Sequence, residues 1–498
     1  MNIIGIDLGA SNGRVIVGKF DTKNNLELDI VYRFKNYGVS IDKSFYWDIL
    51  HIFNRIMKGL RICSEKYSDE GFKAIGITTW GVDFALLDEN DELIGPIHHY
   101  RDHRTDGILE KLFKTIPKEE IFSQTGIQIM QINTIVQIFS MILNNSPRLS
   151  IAKTLLMLPD YFNYLLSGKK LCESSEASTS QLYNPIKRDW AFDVIRKLGL
   201  DPNIFPKIIQ PGTILGNIKE EIAEEIGINP NTKICIPPSH DTNSAVAAVP
   251  VDMDKYHSGK WAYLSSGTWS LLGVELNEPL INEKALKYNF TNESGINFTT
   301  SFLKNITGLW LIQECKKQWD KKDPNLTWDN IEFEAEASQQ FQNFFYLDDP
   351  IFFNPPNMID SIRKQCEIQN QTPPETIGQI SRAIFENLAY RYKQVIEQLE
   401  ELIGNKIEIL HIIGGGSQNK LLNQFTANLL NIPVLAGPTE ATAIGNILAQ
   451  ALALGEIESI KQLRQIVRKS SQIREYTPKD SMKWYKAYEE YLKVIKEF

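Results

Sequence analysis

The sequence has few cysteines, no long apolar run and no excess of basic residues, and each shortage excludes a class of protein. Its five cysteines are scattered and form no CxxC pair. Neither a disulfide framework nor a zinc site is therefore expected, and a reducing compartment is indicated. No uninterrupted apolar stretch reaches the roughly 18 residues of a membrane-spanning helix. The formal net charge is −8 and no basic cluster stands out, so we expect neither a membrane nor a nucleic acid as partner.

Two sequence motifs are also missing. No GxxxxGK[ST] stretch is present, so the chain is not expected to be a P-loop protein. The stretch MNIIGIDLGASNGR has an apolar start, but it carries Asp7 and lacks the basic n-region of a signal peptide. The missing basic n-region, the scattered cysteines and the absence of a long apolar run together predict a cytoplasmic protein.

The pattern that is present is typical of a mixed α/β protein. The 498 residues are too many for one core and suggest two or three domains. The apolar runs NIIGIDL and RVIVGKF flank the turn GASNG, which predicts a β-hairpin, and KAIGITTW and FALLD predict a second strand pair. Residues 261–276, WAYLSSGTWSLLGVEL, again give an apolar strand, a turn of small residues and an apolar strand. This repetition predicts two α/β halves with a boundary near 245–260.

Apolar residues at spacings of three and four predict amphipathic helices in both halves. The candidates are residues 47–62, 134–144, 159–167, 375–403 and 481–497. We expect Gly168 to end the third of them, because glycine readily adopts the left-handed conformation that often follows a helix.

Two short turns rich in small residues are candidate phosphate-binding loops. Gly9–Gly13 follows the first strand, and Ser265–Thr268 is its counterpart in the second half. A hairpin alone explains either turn, but small residues also let backbone N–H groups approach phosphate oxygens. Asp7, at the end of the first strand, is either a local cap or, beside bound phosphate, a carboxylate suited to Mg²⁺. A matched pair of such turns, one in each half, favours phosphate binding.

The run Gly414–Gly416 lies between the apolar segment IEILHII and a predicted helix. It lacks the GxGxxG spacing, so tight packing of a strand against a helix explains it as well as ligand binding does. In the functional interpretation, the bare backbone lets a flat ligand such as a nucleotide base approach closely.

The segment PPSHDTNSAV (237–246) follows the apolar run KICI and places Asp241 at the start of a predicted helix. Ser, Thr, Asp and Asn all cap helices, so a helix cap is the simplest explanation. The alternative is a general base, because phosphoryl transfer needs one acceptor for the proton of the attacking hydroxyl group. The local sequence leaves both interpretations open.

Taken together and in this order, the motifs resemble the FGGY family of carbohydrate kinases. The similarity covers nearly the whole chain and is carried by IGIDLGASNGR, ITTWGVDFALLD, YRDHRT, LMLPDYFNYLLSG, SHDTNSAV, YLSSGTWSLLG, LKNITGLWLIQE and HIIGGGSQNKLLNQ. The resemblance implies an α/β fold of two ribonuclease-H-like domains, of the actin and hexokinase ATPase type, flanking a cleft. The implied divisions are a sugar-binding domain at 1–245, a nucleotide-binding domain at 246–455 and a helical extension at 456–498.

The resemblance also implies roles for individual residues. Asp241 is implied as the catalytic acceptor of the sugar-hydroxyl proton, and Asp7 as the carboxylate that faces Mg²⁺. The implied sugar contacts are Gly81, Asp83, His240, Asp241, Thr242 and Asn305. The implied contacts of ATP are Ala10, Ser11, Asn12, Gly13, Arg14, Thr268, Gln313, Gly415 and Asn419. Asn12 departs from the family pattern, in which close relatives often carry serine, but its amide still donates hydrogen bonds.

The activity implied by the resemblance is phosphate transfer from ATP, with Mg²⁺, to a ketose. L-Rhamnulose is the expected sugar and L-rhamnulose 1-phosphate the product, with L-fuculose or another ketose as the alternative. The rival from another class is an actin-like or chaperone-like ATPase module without a sugar substrate. The WGVD, SHDT and KN segments favour the kinase, because a module without a sugar has no need of them. No sequence feature predicts the oligomeric state.

Overall fold

The computed structural model describes residues 1–21, 25–353 and 355–495, in which strands and helices are mixed as the sequence predicts. The strands in these ranges are β1 (Asn2–Leu8), β2 (Asn12–Phe20), β3 (Leu26–Lys35), β4 (Gly38–Ile41), β5 (Ser44–Trp47), β6 (Ala74–Thr79), β7 (Phe84–Leu87), β8 (Thr154–Met157), β9 (Cys172–Glu173), β10 (Tyr183–Asn184), β11 (Asp189–Trp190), β12 (Ile208–Ile209), β13 (Ile214–Asn217), β14 (Lys233–Cys235), β15 (Trp261–Ser266), β16 (Trp269–Leu276), β17 (Thr291–Ser294), β18 (Thr300–Thr307), β19 (Ile409–Ile413), β20 (Val434–Ala436) and β21 (Arg474–Tyr476). The α-helices are α1 (Ile49–Lys66), α2 (Ile108–Thr115), α3 (Lys118–Thr125), α4 (Thr134–Leu143), α5 (Pro147–Ile151), α6 (Leu158–Ser167), α7 (Ser174–Thr179), α8 (Phe192–Lys197), α9 (Glu220–Ile226), α10 (Asp241–Ala247), α11 (Glu283–Tyr288), α12 (Trp310–Trp319), α13 (Trp328–Ala337), α14 (Met358–Ile368), α15 (Ile377–Ile403), α16 (Lys420–Leu430), α17 (Ala441–Ala453), α18 (Ile460–Ser470) and α19 (Ser481–Ile495). Short 3₁₀ helices lie at His103–Thr105, Pro202–Ile204, Ile296–Phe298, Pro350–Phe352 and Gly415–Gln418.

The first compact unit contains three segments of the chain, Met1–Asp252, Glu275–Leu303 and Ala441–Ser470. Its main sheet has the strand order β13-β14-β6-β1-β2-β3. β1 and β2 form the predicted antiparallel hairpin, and β6 and β14 add to it in parallel. Every residue of β1 is buried, as expected for an apolar strand covered on both faces of the sheet.

Helix α17 packs on this sheet and fixes the position of α10, which begins at Asp241. Gln450 donates a hydrogen bond to the carbonyl oxygen of Ile4 at 3.0 Å. A Cβ atom at Gly445 would lie 1.8 Å from the carbonyl oxygen of Ser244 on α10. Only glycine therefore allows the two helices to pass this closely.

The predicted helices are confirmed, with ends shifted by a few residues, as α1, α4, α6, α15 and α19. α6 ends at Gly168, which is left-handed with φ 73° as predicted. α15 begins at a capping box between Thr376 and Gln379 and ends at the left-handed Gly404. The last two residues predicted for the final helix, 496 and 497, lie outside the described residues.

The predicted pairing of KAIGITTW with FALLD is wrong. Both segments are strands, but β6 pairs with β1 and β14, and β7 pairs with β8 through Phe84 opposite Met157. β6 lies inside the sheet with both of its edges occupied. It therefore has no free edge for β7, and the chain leaves the sheet between them through Val82, which is left-handed with φ 71°.

The second compact unit contains Met253–Val274, Lys304–Glu440 and Ser471–Phe498. β15 and β16 form the second predicted hairpin, β19 and β20 follow in parallel on the other side of β15, and β21 is antiparallel to β20. A hairpin extended by parallel strands is thus common to both units, which agrees with the predicted duplication. The domain divisions at 1–245, 246–455 and 456–498 remain predictions.

Among the described residues, no helix has both the length and the apolar character needed to cross a membrane.

Candidate active site

Three parallel strands of the first unit end at one edge of its sheet, and the predicted catalytic residues follow those ends. Asp7, near the end of β1, pairs in register with Thr78 on β6. β14 also runs parallel to β6, and the chain beyond it reaches His240, which forms a parallel bridge with Thr79. Ligands of such sheets bind at the carboxyl ends of the parallel strands, so Asp7 and Asp241 lie where a site is expected.

Asp241 is the first residue of α10 and not its cap. The N-cap residue is His240, and the Asp241 carboxylate accepts a hydrogen bond from Oγ1 of Thr242 at 3.2 Å. The side chain of Asp241 is 31% exposed. The remainder of the side chain is buried, and this burial raises the pKa of Asp241 to about 6. The nearby His240 acts to lower this pKa, and Asp7 acts to raise it. The carboxylate is accessible and ionised at neutral pH, as a general base requires.

His240 is held between two carboxylates. Its Nδ1 atom lies 3.0 Å from Oε2 of Glu293, and its Nε2 atom lies 3.6 Å from Oδ1 of Asp241. Asn243 donates a hydrogen bond to the same oxygen of Glu293 at 3.0 Å, which fixes that carboxylate. Burial acts to lower the pKa of His240, but Glu293 and then Asp241 raise it above its ordinary value. The imidazole ring therefore has a fixed orientation and carries its proton readily.

The turn between β1 and β2 carries residues predicted to face phosphate. The N–H group of Gly9 donates to the carbonyl oxygen of Asn12 at 2.8 Å, which closes the turn. Ser11 and Asn12 are exposed, whereas Gly13 is buried. A Cβ atom at Gly13 would lie 2.3 Å from the ring of Phe34, so the hairpin requires glycine there. The exposed part of the turn lies at the sheet edge that Asp7 shares.

Asp7 and Arg14 form an ion pair across the hairpin, with the guanidinium group donating to the carboxylate. The side chain of Asp7 is 6% exposed, and Ala10 packs against the core of this unit. Across the described ranges, no group of three or more His, Cys, Asp or Glu side chains is arranged to hold a metal ion. One carboxylate fits a Mg²⁺ ion whose other ligands are phosphate oxygens and waters, but not an ion held by protein alone.

The loop after β6 carries two of the predicted sugar contacts. Asp83 is fully buried, and its Oδ2 accepts hydrogen bonds from the indole N–H groups of Trp47 at 2.6 Å and Trp80 at 2.8 Å. Its Oδ1 accepts one from Gln137 at 3.1 Å. Burial raises the pKa of Asp83 to about 6, although these donors act to lower it. Asp83 thus holds the loop next to Gly81, and its direct contact with a sugar stays a prediction.

In the second unit, predicted nucleotide contacts lie beyond the ends of two parallel strands. β15 and β19 run parallel, with Ser265 opposite Ile413. Thr268 beyond β15 and Gly415 beyond β19 therefore follow the same sheet edge. Oγ1 of Thr268 donates a hydrogen bond to Oε1 of Gln313 at 3.1 Å, which brings those two predicted residues together.

In the glycine run after β19, packing explains one position, and ligand binding at another stays a prediction. A Cβ atom at Gly416 would lie 1.9 Å from Oγ of Ser266, so packing explains that glycine. At Gly415, no described atom other than those of the glycine and its two chain neighbours lies within 4 Å of the Cβ position, so this position is open. Asn419 caps α16 with its side chain. Asn305 lies on β18, which neighbours β16 in the strand order.

Three residues that hold this site were not predicted from the sequence, namely Glu293, Trp47 and Gln137. Each reaches its partner from a distant part of the chain, on β17, β5 and α4 respectively. No local motif marks them, because each is brought to its partner by the packing of segments that are distant in the sequence. The one available signal is general: a buried indole or carboxylate needs a hydrogen-bond partner somewhere.

Two family domains cover most of the chain. Residues 2–248 match the N-terminal domain of the FGGY family of carbohydrate kinases, and residues 262–454 match its C-terminal domain. The rhamnulokinase of Bacteroides thetaiotaomicron is 41% identical over 488 residues, which cover 98% of each chain. The rhamnulokinase of Halalkalibacterium halodurans is 40% identical over 477 residues, which cover 96% of this chain and 99% of that protein. The chain belongs to the FGGY family of carbohydrate kinases.

Solved structures share the fold across the full length. A ligand-bound xylulose kinase from Lactobacillus acidophilus matches with a TM-score of 0.82 and 16% identity, covering 100% of this chain and 98% of that one. The glycerol kinase of Plasmodium falciparum with ADP matches with a TM-score of 0.77 and 15% identity, covering 100% and 98%. This likeness confirms the predicted α/β class of ribonuclease-H-like, actin and hexokinase-type domains. Family membership favours a sugar kinase over an ATPase module without a sugar substrate.

Proposed function

We propose that the protein phosphorylates L-rhamnulose with ATP, giving L-rhamnulose 1-phosphate and ADP, as a step of L-rhamnose catabolism. The observation that carries this proposal is the Asp241 carboxylate, which is 31% exposed at the carboxyl edge of a parallel sheet and lies 3.6 Å from His240. The choice of sugar is supported by the full-length similarity to proteins named rhamnulokinase. Such an ATP-consuming step agrees with the cytoplasmic location that the scattered cysteines predict.

In the proposed reaction, Asp241 accepts the proton of the C1 hydroxyl group. The hydroxyl oxygen forms a bond to the γ-phosphorus of ATP, the bond from that phosphorus to the bridging oxygen breaks, and ADP leaves. Because the pKa of Asp241 is about 6, the carboxylate is ionised at neutral pH and still basic enough to take the proton. Phosphoryl transfer otherwise requires positioning and charge stabilisation rather than covalent chemistry by the protein.

The sugar contacts that we propose are Gly81, Asp83, His240, Thr242 and Asn305. His240 is suited to this role because Glu293 holds its ring in one orientation at 3.0 Å. Besides its proposed contact, Asp83 fixes the loop next to Gly81, since its two oxygens accept from three N–H donors. A ring and a loop held in this way lose little freedom when a sugar binds, which favours affinity.

The ATP contacts that we propose are Ala10, Ser11, Asn12, Gly13, Arg14, Thr268, Gln313, Gly415 and Asn419. When bound, Mg²⁺ supplies positive charge that offsets the charge of the phosphates. Asp7 would hold this ion, directly or through water, and Arg14 keeps the Asp7 carboxylate in place. The exposed residues Ser11 and Asn12 of the turn after β1 are suited to offer further donors for phosphate oxygens.

A coupled ADP-release assay over a panel of ketoses tests the proposal. The panel contains L-rhamnulose, L-fuculose and L-xylulose, each at several concentrations, with a control lacking sugar. The highest kcat/KM with L-rhamnulose supports the proposal, and the highest kcat/KM with L-fuculose or L-xylulose overturns the choice of sugar. ADP release that is as fast without sugar as with it overturns the kinase itself and supports the ATPase module.

A further inference from the structure

The short helix α7 (Ser174–Thr179) connects the two loops of the first unit that carry predicted sugar contacts. All six of its residues are buried, and it is preceded by Glu173, whose carboxylate is also fully buried. The helix presents hydroxyl groups at both of its ends. One end contacts the segment before Asp241, and the other contacts the loop after β6.

The first end of α7 fixes the backbone immediately before Asp241. Oε2 of Glu173 accepts a hydrogen bond from the N–H group of Ser239 at 2.9 Å. Oγ of Ser175 accepts one from the N–H group of His240 at 3.1 Å and itself donates to Glu173. On the opposite side, the carbonyl oxygen of Ser239 accepts from Thr79 at 2.9 Å. The backbone that leads into Asp241 is therefore held by buried groups from two directions.

The carboxylate of Glu173 is used only as an acceptor. Besides Ser239, it accepts hydrogen bonds from the N–H groups of Ser175 at 2.7 Å and Glu176 at 3.2 Å and from the hydroxyl of Ser174 at 3.1 Å. An amide in its place would direct an NH₂ group at some of these donors. The chemistry of the position therefore requires a carboxylate.

The second end of α7 fixes the loop that carries Gly81 and Asp83. Oγ1 of Thr179 accepts a hydrogen bond from the N–H group of Val82 at 2.9 Å. A Cβ atom at Gly81 would lie 2.8 Å from Cγ2 of Thr179, so any side chain there would push the loop away from α7. Val82 has a φ of 71°, which is strained for a β-branched residue and persists only where the surroundings enforce it. Thr134 provides a further constraint by donating to the Val82 carbonyl oxygen at 2.6 Å.

We infer that α7 is the positioning element of the sugar site, with Glu173 and Ser175 placing Asp241 for proton transfer and Thr179 placing the Gly81–Val82 backbone against the ketose. The inference rests on the proposed function and names residues for which that function alone gives no role. Its physical basis is that a small displacement of a reacting group lowers the rate even when the displaced residue itself is unchanged. The two ends of α7 should therefore affect different kinetic constants.

The test compares Ser175→Ala with Thr179→Val. Ser175→Ala removes the acceptor of the His240 N–H group, and we expect kcat to fall roughly 10-fold to 100-fold with a smaller change in the KM for the ketose. Thr179→Val keeps the shape but removes the acceptor of the Val82 N–H group, and we expect this KM to rise about 10-fold with a smaller change in kcat. Thr179→Ser retains the hydroxyl group and should restore the KM.

Ser180→Ala is the matched control. Ser180 is buried at the end of the same helix, but among the described residues its hydroxyl group bonds only within this segment, donating to Ala177 and accepting from Leu182 at 3.0 Å. This variant should lower the thermal midpoint as the others do while leaving kcat and KM as in the wild type. A split between kcat and KM that is absent from the control cannot come from a general loss of stability.

The outcomes separate this inference from the proposed function. If the wild type turns over no ketose, the proposed function fails and the inference fails with it. If the wild type is active and both variants behave like Ser180→Ala, or both lose kcat and gain KM in equal measure, only the inference is overturned. If Ser175→Ala does not fold, the comparison of Thr179→Val with Thr179→Ser tests the inference. A KM for the ketose that is raised in Thr179→Val and restored in Thr179→Ser supports it, and the same KM in both variants overturns it.

Discussion

Nδ1 of His240 and Oε2 of Glu293 lie 3.0 Å apart in the first unit, and this contact sets the charge next to Asp241. Burial acts to lower the pKa of His240, but the carboxylates of Glu293, Asp241 and Glu173 together raise it above its ordinary value, so the folded protein keeps the imidazole charged at higher pH than the unfolded chain does. A raised histidine pKa stabilises the fold below the unfolded pKa, and this stabilisation is lost as the pH rises through the folded pKa. The same positive charge lowers the pKa of Asp241.

Glu293→Gln is therefore expected to alter the pH dependence of catalysis. In the wild type, kcat/KM should fall at acid pH with an apparent pKa of about 6, the value for Asp241. The variant loses the charge that keeps His240 protonated, so the acid limb should move up by about 1 pH unit, the lower end of what a neighbouring opposite charge contributes. Glu224→Gln, at an exposed position, controls for the general loss of one negative charge. An acid limb at the same pH in Glu293→Gln and wild type would contradict the coupling.

Asp241→Asn is expected to lower kcat by roughly 10²–10⁴-fold while ketose binding survives. The amide has the shape of the carboxylate and still accepts the hydrogen bond from Thr242, but it does not take up the hydroxyl proton. Turnover is measured by ADP release, and binding by isothermal titration calorimetry with the ketose. Wild-type turnover, or loss of binding and rate in equal proportion, would show that Asp241 is not the base.

Asp7→Asn is expected to lower kcat/KM for Mg-ATP by roughly 10–100-fold, as removal of a group that orients a metal ion commonly does. The variant should also need a higher Mg²⁺ concentration for half-maximal rate, because the neutral amide holds the ion less tightly. Asp29→Asn, which removes a carboxylate from β3 in the same sheet, is the control and should leave the Mg²⁺ requirement unchanged. If Asp7→Asn and Asp29→Asn raise the Mg²⁺ requirement equally, its cause is the change in net charge and not the loss of the Asp7 carboxylate.

The sequence allowed the locally encoded parts of the fold to be predicted. The hairpin of β1 and β2 and the helix α15 were found because alternation and helical spacing are properties of neighbouring residues. The pairing of β6 with β7 was predicted wrongly, since two adjacent apolar runs do not show that β1 and β14 already occupy both edges of β6. Partner choice between strands depends on the whole sheet, which a local pattern does not contain.

The residues of the candidate site likewise fall into those that the sequence marks and those that only the fold brings into the site. Asp241 stands out in the sequence by its position after an apolar strand, but a helix cap is its simplest local explanation, and only the family resemblance favours a base. In the structure the cap position belongs to His240. Glu293 and Glu173 gave no signal, because each acts through a backbone or side-chain group that the sheet brings to it from far along the chain.

Asp83→Asn is expected to destabilise the protein by about 1–3 kcal/mol, the usual cost of leaving a buried hydrogen-bonding group without a partner. The carboxylate accepts from Trp47, Trp80 and Gln137, and an amide would turn an NH₂ group towards one of these donors. Trp47→Phe removes one donor, so the double variant should be less destabilised than the sum of the two single variants. Urea unfolding followed by tryptophan emission measures the stability, and strict additivity would contradict a direct coupling between Asp83 and Trp47.

Glu176→Gln is expected to stabilise the protein, and to do so more strongly as the pH rises. Glu176 is fully buried, and neither of its carboxylate oxygens has a hydrogen-bond partner among the described residues. Burial, together with the neighbouring Asp160 and Glu173, raises the pKa of Glu176 well above its ordinary value. The folded protein keeps this proton while the unfolded chain releases it above a pH of about 4.3, so wild-type stability falls with rising pH until the folded pKa is reached.

The glutamine variant has no such proton to lose, and its advantage in unfolding free energy should grow by at most about 1.4 kcal/mol for each pH unit between pH 5 and 8. Thermal midpoints of both proteins at pH 5, 6.5 and 8 measure this difference, with the exposed Glu224→Gln as control for the change in net charge. A difference that stays constant across this range would mean that Glu176 is ionised in the folded protein. The site would then carry an additional buried negative charge close to Asp241, and the wild-type acid limb would lie at a higher pH than about 6.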